Sequence, residues 1–197
     1  MQVCISSPAY LAAQPAAGAT FKIGFNFRGT LGFVTDLGAD TFANGDDYPK
    51  SHTSADTLTT CDAGFVGGVD QSASNYVDTN NAKLAGRILE NSGTPSYFRV
   101  DLPSAGNYKI RAASAKQGYT EAASIRITDG AGGDLINVSD ASVADGNYLD
   151  AGGNERTHND WVANNTQVTV EFTGTELRMH LQVATVQFMN HLEIEKV

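Results

Sequence analysis

Apolar and polar positions alternate with a period of two along most of the segments that carry bulky side chains. In Ser96 to Leu102, Phe98, Val100 and Leu102 alternate with Tyr97, Arg99 and Asp101. That spacing puts one set on each face of an extended chain and predicts a half-buried β-strand. Pro103-Ser104-Ala105-Gly106-Asn107 supplies turn residues, after which Tyr108, Ile110 and Ala112 alternate with Lys109 and Arg111. Two such runs across a Pro/Gly-rich connection predict an antiparallel hairpin. Phe21, Ile23, Phe25 and Phe27 form an earlier strand of the same kind. Ile125 and Ile127, then Leu135 to Val138, then Val168, Val170 and Phe172, then Leu177, Met179, Leu181 and Val183 continue the pattern. Val186 to Val197 reads as one closing strand.

The intervals between these runs are polar. Arg28 to Asn80 is rich in Gly, Asp, Asn, Ser and Thr, with short apolar islands at Leu31 to Val34, Thr57 to Thr59 and Gly64 to Val66. A connection of that length in a compact domain carries function or hides short strands. Residues 139–165 form a second long polar connection. Asn81 to Leu89 has the propensity of a helical turn, interrupted by Gly86. Residues 1–19 are mostly small, with two prolines, and predict an N-terminal arm, with room for a short strand at Gln2 to Ser6, that orders against a neighbouring subunit. The pattern implies roughly eight to ten strands and almost no helix. Long connections favour an all-β antiparallel sandwich of jelly-roll type over an up-and-down barrel. The expected organisation is the arm, 1–19, and one sandwich domain, 20–197.

Length and charge narrow the function classes. A chain of 197 residues suits one domain and buries about 70% of its unfolded surface, enough to fold without a metal or a disulfide. Its net charge is −9, from 22 acidic and 13 basic residues. Without a Lys/Arg cluster, that balance argues against nucleic acid and anionic membranes as partners. No run reaches the roughly 18 apolar residues of a membrane span. Residues 1–20 lack the basic start and unbroken apolar core of a signal peptide, so the expectation is a protein made in the cytoplasm and not exported by that route. Cys4 and Cys61 have no CxxC spacing; two unpaired thiols in a reducing compartment fit them, and a Cys4–Cys61 bridge stays open.

Several phrases resemble galactose-binding-like β-sandwich modules, the broad group that includes malectin-like and carbohydrate-binding-module-like domains. They are Lys83-Leu84-Ala85-Gly86, Tyr97 to Pro103, and Gly106 to Arg111, with Phe25-Asn26-Phe27 as an opening strand. Asn147-Tyr148-Leu149-Asp150-Ala151-Gly152 followed by Trp161 is similar to the late loop of such modules. The likeness covers about residues 20–197 and implies a jelly roll of that type, of the kind found in bacteriophage virion proteins as well as in glycan-active enzymes. It also implies that a structural Ca²⁺ is allowed.

Catalytic chemistry finds little footing. His52, His158, His180 and His191 have no GxSxG elbow beside them, and the two cysteines have no protease context. His180 and His191 read as surface or sheet-edge side chains. Glu121, Glu155, Glu171 and Asp160 suggest no paired carboxylates of the glycosidase kind, and Glu171 is expected to face solvent. Asp46-Asp47 and the Asp129 to Asp134 turn offer oxygens to Ca²⁺, but lack EF-hand spacing and read first as turn formers. Gly130 to Gly133 opens no helix and so lacks the donors of a phosphate cradle.

Sugar sites pair aromatic faces with Asn, Asp or Arg. Tyr119, Asn147, Tyr148, Asp150 and Trp161 are therefore the candidate ligand-binding residues; the competing reading has Trp161 plugging the end of the core and the tyrosines at its rim. The expectation is a non-enzymatic phage virion structural protein, in capsid decoration, a head fibre or a tail. Its partners would be other virion proteins, further copies of itself and possible host-surface glycan, with no cofactor and no catalytic residue. A stand-alone carbohydrate-binding module is the alternative, and a glycan esterase or hydrolase fragment a weaker one.

Overall fold

The computed structural model describes residues 4–5, 22–28, 32–36, 51–52, 63–66, 69–75, 86–90, 96–115, 118–157, 159–160, 166–181 and 188–197. The strands are β1 (Cys4–Ile5), β2 (Lys22–Arg28), β3 (Gly32–Asp36), β4 (Ser51–His52), β5 (Ala63–Val66) and β6 (Val69–Asn75). They continue with β7 (Gly86–Glu90), β8 (Ser96–Asp101), β9 (Gly106–Ser114), β10 (Glu121–Asp129), β11 (Asp134–Val143) and β12 (Asn147–Asp150). The last are β13 (Glu155–Thr157), β14 (Val168–Phe172), β15 (Glu176–Leu181), β16 (Phe188–Met189) and β17 (His191–Lys196).

Three sheets form. The first has the order β1-β5-β8-β15-β10-β11, and the second β13-β12-β9-β17-β2-β3. β9 is long enough for two partners on one edge: β14 pairs along Gly106 to Ile110, and β12 pairs at Ala113 and Ser114. A third sheet has the order β16-β7-β6-β4. Every pairing is antiparallel. The chain crosses repeatedly between the first two sheets, as in a jelly roll.

The core lies between those two sheets and is built from the alternating apolar positions. Phe98 and Val100 of β8, Ile125 and Ile127 of β10, and Leu177, Met179 and Leu181 of β15 are buried from one side. Phe25 and Phe27 of β2, Tyr108, Ile110 and Ala112 of β9, and Leu192 and Ile194 of β17 meet them from the other. The ring of Phe98 lies edge-on to Phe25 and Phe27, with centroids 4.8 and 5.0 Å away. Edge-to-face rings bring the positive edge of one to the negative face of the other.

The β8–β9 turn is held from within. The Tyr108 hydroxyl donates to the Ser104 carbonyl at 2.7 Å while its ring packs edge-on against Phe172. Burial pushes its phenol above the ordinary range. Lys196 reaches Ser104 Oγ, and the Val197 amide donates to the Asn107 carbonyl at 2.9 Å, so the last strand is tied to the same turn.

Three expectations are corrected. Residues 81–89 were expected to include a helical turn, yet Gly86–Glu90 is strand β7, paired with β6 and β16. Short apolar runs do not reveal their period, and sheet pairing overrides propensity. The single closing strand is two strands in different sheets, broken at Asn190. Its amide donates to the Ala113 carbonyl at 3.1 Å, its carbonyl accepts the Phe27 amide at 2.9 Å, and its side-chain oxygen accepts the Ala115 amide at 2.7 Å. The expected antiparallel hairpin does not form either: β8 pairs with β5 and β15, and β9 with β12, β14 and β17, so the Pro103–Asn107 turn carries the chain from one sheet to the facing one, a distinction that alternation within each strand does not encode. Within the arm, Cys4–Ile5 pairs with β5 of the same chain. Thr57 to Thr59, Cys61 and Asp46-Asp47 lie outside the described residues, as do the side chains of Phe21 and Ile23.

Truncating Phe98 removes the ring shared by both sheets and leaves a cavity. Phe98→Ala is expected to cost about 3–5 kcal/mol of unfolding free energy in urea titrations. A loss under about 1 kcal/mol would mean that the sheets are not locked there.

Candidate functional site

Because Phe98, Val100, Met179 and Leu181 point inward, their neighbours in β8 and β15 point outward. Register sets those neighbours in rows. Tyr97 is opposite His180, Arg99 opposite Arg178, and Asp101 opposite Glu176. On the other side of β15, Thr128 is opposite Arg178, and in β11 Asn137 is opposite Arg126. Continuing the β10–β15 register by one step brings Arg126 beside His180. The outer face of the first sheet therefore carries the row Tyr97, His180, Arg126, Asn137 across four adjacent strands.

The charges on this face are ordered. Like charges directly opposite on neighbouring strands repel, and Arg99 and Arg178 are in that relation. Glu176 resolves it: one oxygen accepts Arg178 Nε, and the other is 3.3 Å from Arg99 Nη2. Arg99 Nε donates to Asp101 Oδ1 at 2.7 Å, and Arg126 Nε to Asp134 Oδ1 at 2.7 Å. Asn137 also donates to Asp134, at 3.0 Å. The Arg126 hydrogen bond is the main cause that holds the Asp134 carboxyl below the usual range. These side chains remain between 20% and 40% exposed.

His180 is the titratable centre of the face. Its Nε2 is 2.9 Å from Thr128 Oγ1, and its ring is 5.5 Å from that of Tyr97. The Arg178 guanidinium lies 5.0 Å from the Tyr97 ring centroid, a cation–π contact. Burial is the first cause that pushes His180 down to about 4, followed by the positive charges of Arg126 and Arg178; Asp134 pulls the other way. The expected surface histidine is thus half-buried and neutral near pH 7. At one end of the face, a cleft of 260 Å³ opens between the turn after β10 and the turn before β15, with Asp129, Thr173, Thr175 and Glu176 in its wall. Gly130 allows the two turns to approach, since a Cβ there would sit 3.1 Å from the Glu176 Cβ.

The residues nominated from the sequence divide between two places. Tyr119 is 61% exposed at the opposite end, beside a turn in which the Gly118 amide donates to Asp145 at 2.6 Å. Asn147 lies near it and donates to Glu155 Oε1 at 2.6 Å. Tyr148 is instead fully buried, packed with Ala113 and Ala115, and burial first of all pushes its phenol up to about 12. Asp150 is 1% exposed and organises its own turn. Its carboxylate accepts the amides of Gly152 and Asn154 at 2.8 and 2.9 Å and Arg156 Nε at 2.8 Å. Trp161 lies outside the described residues.

Sequence reasoning missed Tyr97, Arg126, Arg178 and His180 as a group. Their outward alternation was legible, but not the strand order that joins them. It also placed His191 at the surface. His191 is fully buried on the outer face of the second sheet, 3.3 Å from Glu193 Oε1, and Arg111 Nη1 donates to Glu193 Oε2 at 3.0 Å. Glu171 faces solvent, as expected. Among the described residues, no three His, Cys, Asp or Glu side chains converge to hold a metal ion. Asp129 accepts the Gly133 amide at 2.7 Å and so closes its own turn.

No known family model matches this chain, and no curated protein matches it. Among solved structures, it is similar to the protein YXIM of Bacillus subtilis at 14% identity and a TM-score of 0.48. That likeness covers 89% of this chain, which spans only 40% of the Bacillus protein. It is also similar to a family 35 carbohydrate-binding module from Clostridium thermocellum, at 15% identity and a TM-score of 0.37, over 65% of this chain and 93% of that module.

The lowered His180 value has a sign. Its folded value lies below the ordinary 6.5, so the unfolded chain takes up the proton first. Stability is therefore full above about pH 6.5 and falls as the pH drops toward 4. His180→Gln should show a smaller loss of urea midpoint than wild type between about pH 7 and about pH 5. Identical losses in both proteins would contradict the assignment.

Proposed function

We propose that this chain is a non-catalytic carbohydrate-binding β-sandwich that holds a glycan against the outer face of its first sheet. The observation that carries the reading is the row Tyr97, His180, Arg126, Asn137, set across four strands whose other faces form the core. A sugar presents C–H surfaces and closely spaced hydroxyls. It is recognised by an aromatic ring together with planar donors and acceptors at fixed spacing. Tyr97 supplies the ring, with Arg178 stacked on it; His180, Arg126 and Asn137 supply the polar groups. The Asp129–Glu176 cleft extends the same surface for a second sugar unit.

Binding suits this face better than turnover. A general acid needs a raised pKa. Asp134 is instead held low by Arg126; Asp101 and Glu176 each contact arginine side chains. The proposed setting is a phage virion. The phage-module phrasing around Tyr97 to Arg111 supports it, with other virion proteins and further copies of the chain as partners.

A glycan array tests the binding. Wild type is expected to retain a subset of oligosaccharides with dissociation constants of about 1 mM to 1 μM. Tyr97→Ala should weaken them at least tenfold while the melting curve stays cooperative. Retention unchanged by Tyr97→Ala would remove this face from the reading. For the setting, peptides of the chain should appear in mass spectra of purified particles, and their absence would refute it.

A further inference from the structure

We propose that the glycan bound on this face is acidic, and that its carboxylate is taken between the guanidinium ends of Arg126 and Arg178, over His180. The inference rests on the glycan reading above and adds the chemical class of the ligand.

The argument begins with which nitrogens are in use. A guanidinium has five N–H donors in a planar fork. Arg126 and Arg178 each contact a sheet carboxylate through Nε, Asp134 in one case and Glu176 in the other. Among the described residues, the terminal Nη donors of both have no hydrogen-bond acceptor. The carboxylates thus hold the arginines by the inner nitrogen and leave the outer ones to a ligand. A planar carboxylate is the group that paired Nη donors fit best.

Register brings the two arginines together. Arg178 is opposite Thr128, and Arg126 lies two residues before Thr128 on the same face, so they are diagonal neighbours on adjacent strands. Such neighbours are about 7–8 Å apart at the backbone, within mutual reach of long side chains. His180 lies between them, and it experiences both guanidiniums more strongly than it does Asp134. Asp101, Asp134 and Glu176 balance the three arginines of the face, so a ligand carboxylate is drawn by short-range donation from the outer guanidinium nitrogens and not by a net charge. The chain as a whole carries −9, but charges farther than about 8 Å are largely screened at physiological salt. Thr128 and neutral His180 add short-range polar groups beneath the same point.

The test uses uronic-acid oligosaccharides, each paired with its carboxyl-reduced counterpart, titrated against the full chain. The acidic member is expected to bind at least tenfold tighter than the neutral one, and Arg126→Gln to abolish that preference. Asp134, 40% exposed on its side chain, can be left to water in this variant, which should therefore stay folded. Lys109→Gln, on the second sheet, should leave the preference intact. Equal binding of both members would overturn the acidic assignment while leaving the glycan reading standing. A preference that survives both Arg126→Gln and Arg178→Gln would place the carboxylate elsewhere and overturn the site. Binding of neither member, with none on the broader array, would overturn both readings together.

Discussion

Everything on the outer face of the first sheet depends on one contact inside it. The Phe98 ring sits edge-on between Phe25 and Phe27 of the facing sheet. A strand has no freedom to turn one residue independently of the next, since side chains alternate with a period of two. Phe98 inward therefore means Tyr97 and Arg99 outward. Across the ladder, Met179 and Leu181 inward mean Arg178 and His180 outward. A register slip of one residue would put guanidiniums into the core and the rings into water. The apolar interior thus positions the polar surface without any polar contact specifying it.

The charges on that surface matter for geometry more than for stability. Exposed ion pairs contribute about 0–1 kcal/mol each, so removing one would hardly change folding. What they do is orient. Arg99 and Arg178 would repel across the ladder, but Glu176 engages one with each oxygen. Asp134 does the same for Arg126 and Asn137 together. Side chains already held in place lose less rotamer entropy when a ligand arrives.

Much of the sandwich was legible, because strand alternation is a local property. The Phe98 and Ile110 strands, the Ile125/Ile127 strand and the Leu177–Leu181 strand appear where period two predicts them, but the first two face each other across the core instead of pairing as a hairpin. What stayed hidden was long-range. Nothing near Gly86–Glu90 announces its partners β6 and β16, so its helix propensity misled. Asn190 looks like any polar residue in a strand until its three hydrogen bonds, to Ala113, Ala115 and Phe27, show where the chain changes sheets. The candidate site was legible only in pieces. Tyr97 and Arg126 are 29 positions apart, and they come into one row only because β15 is inserted between β8 and β10. The loop residues were chosen for composition. Composition does not distinguish Asn147 at an open turn from Tyr148, its neighbour, which alternation turns into the protein.

The two outer faces differ in what they leave available to a ligand. Both carry arginine, carboxylate and histidine at alternating positions. On the second sheet Arg111, Glu193 and His191 are at most 7% exposed. Charges taken that far from water must be matched by partners close at hand, since an unmatched buried charge costs several kcal/mol. Among the described residues, Glu193 is accordingly shared between Arg111 and His191. On the first sheet the same residue types keep a fifth to two-fifths of their surface in water. Water can serve the outer guanidinium nitrogens there, so the fold does not require them to be satisfied internally. A donor that water satisfies is one that a ligand can take over at little cost, whereas a donor already bound inside the protein must first give up its partner. The difference in burial, not in residue type, separates a structural charge network from a surface able to recognise something.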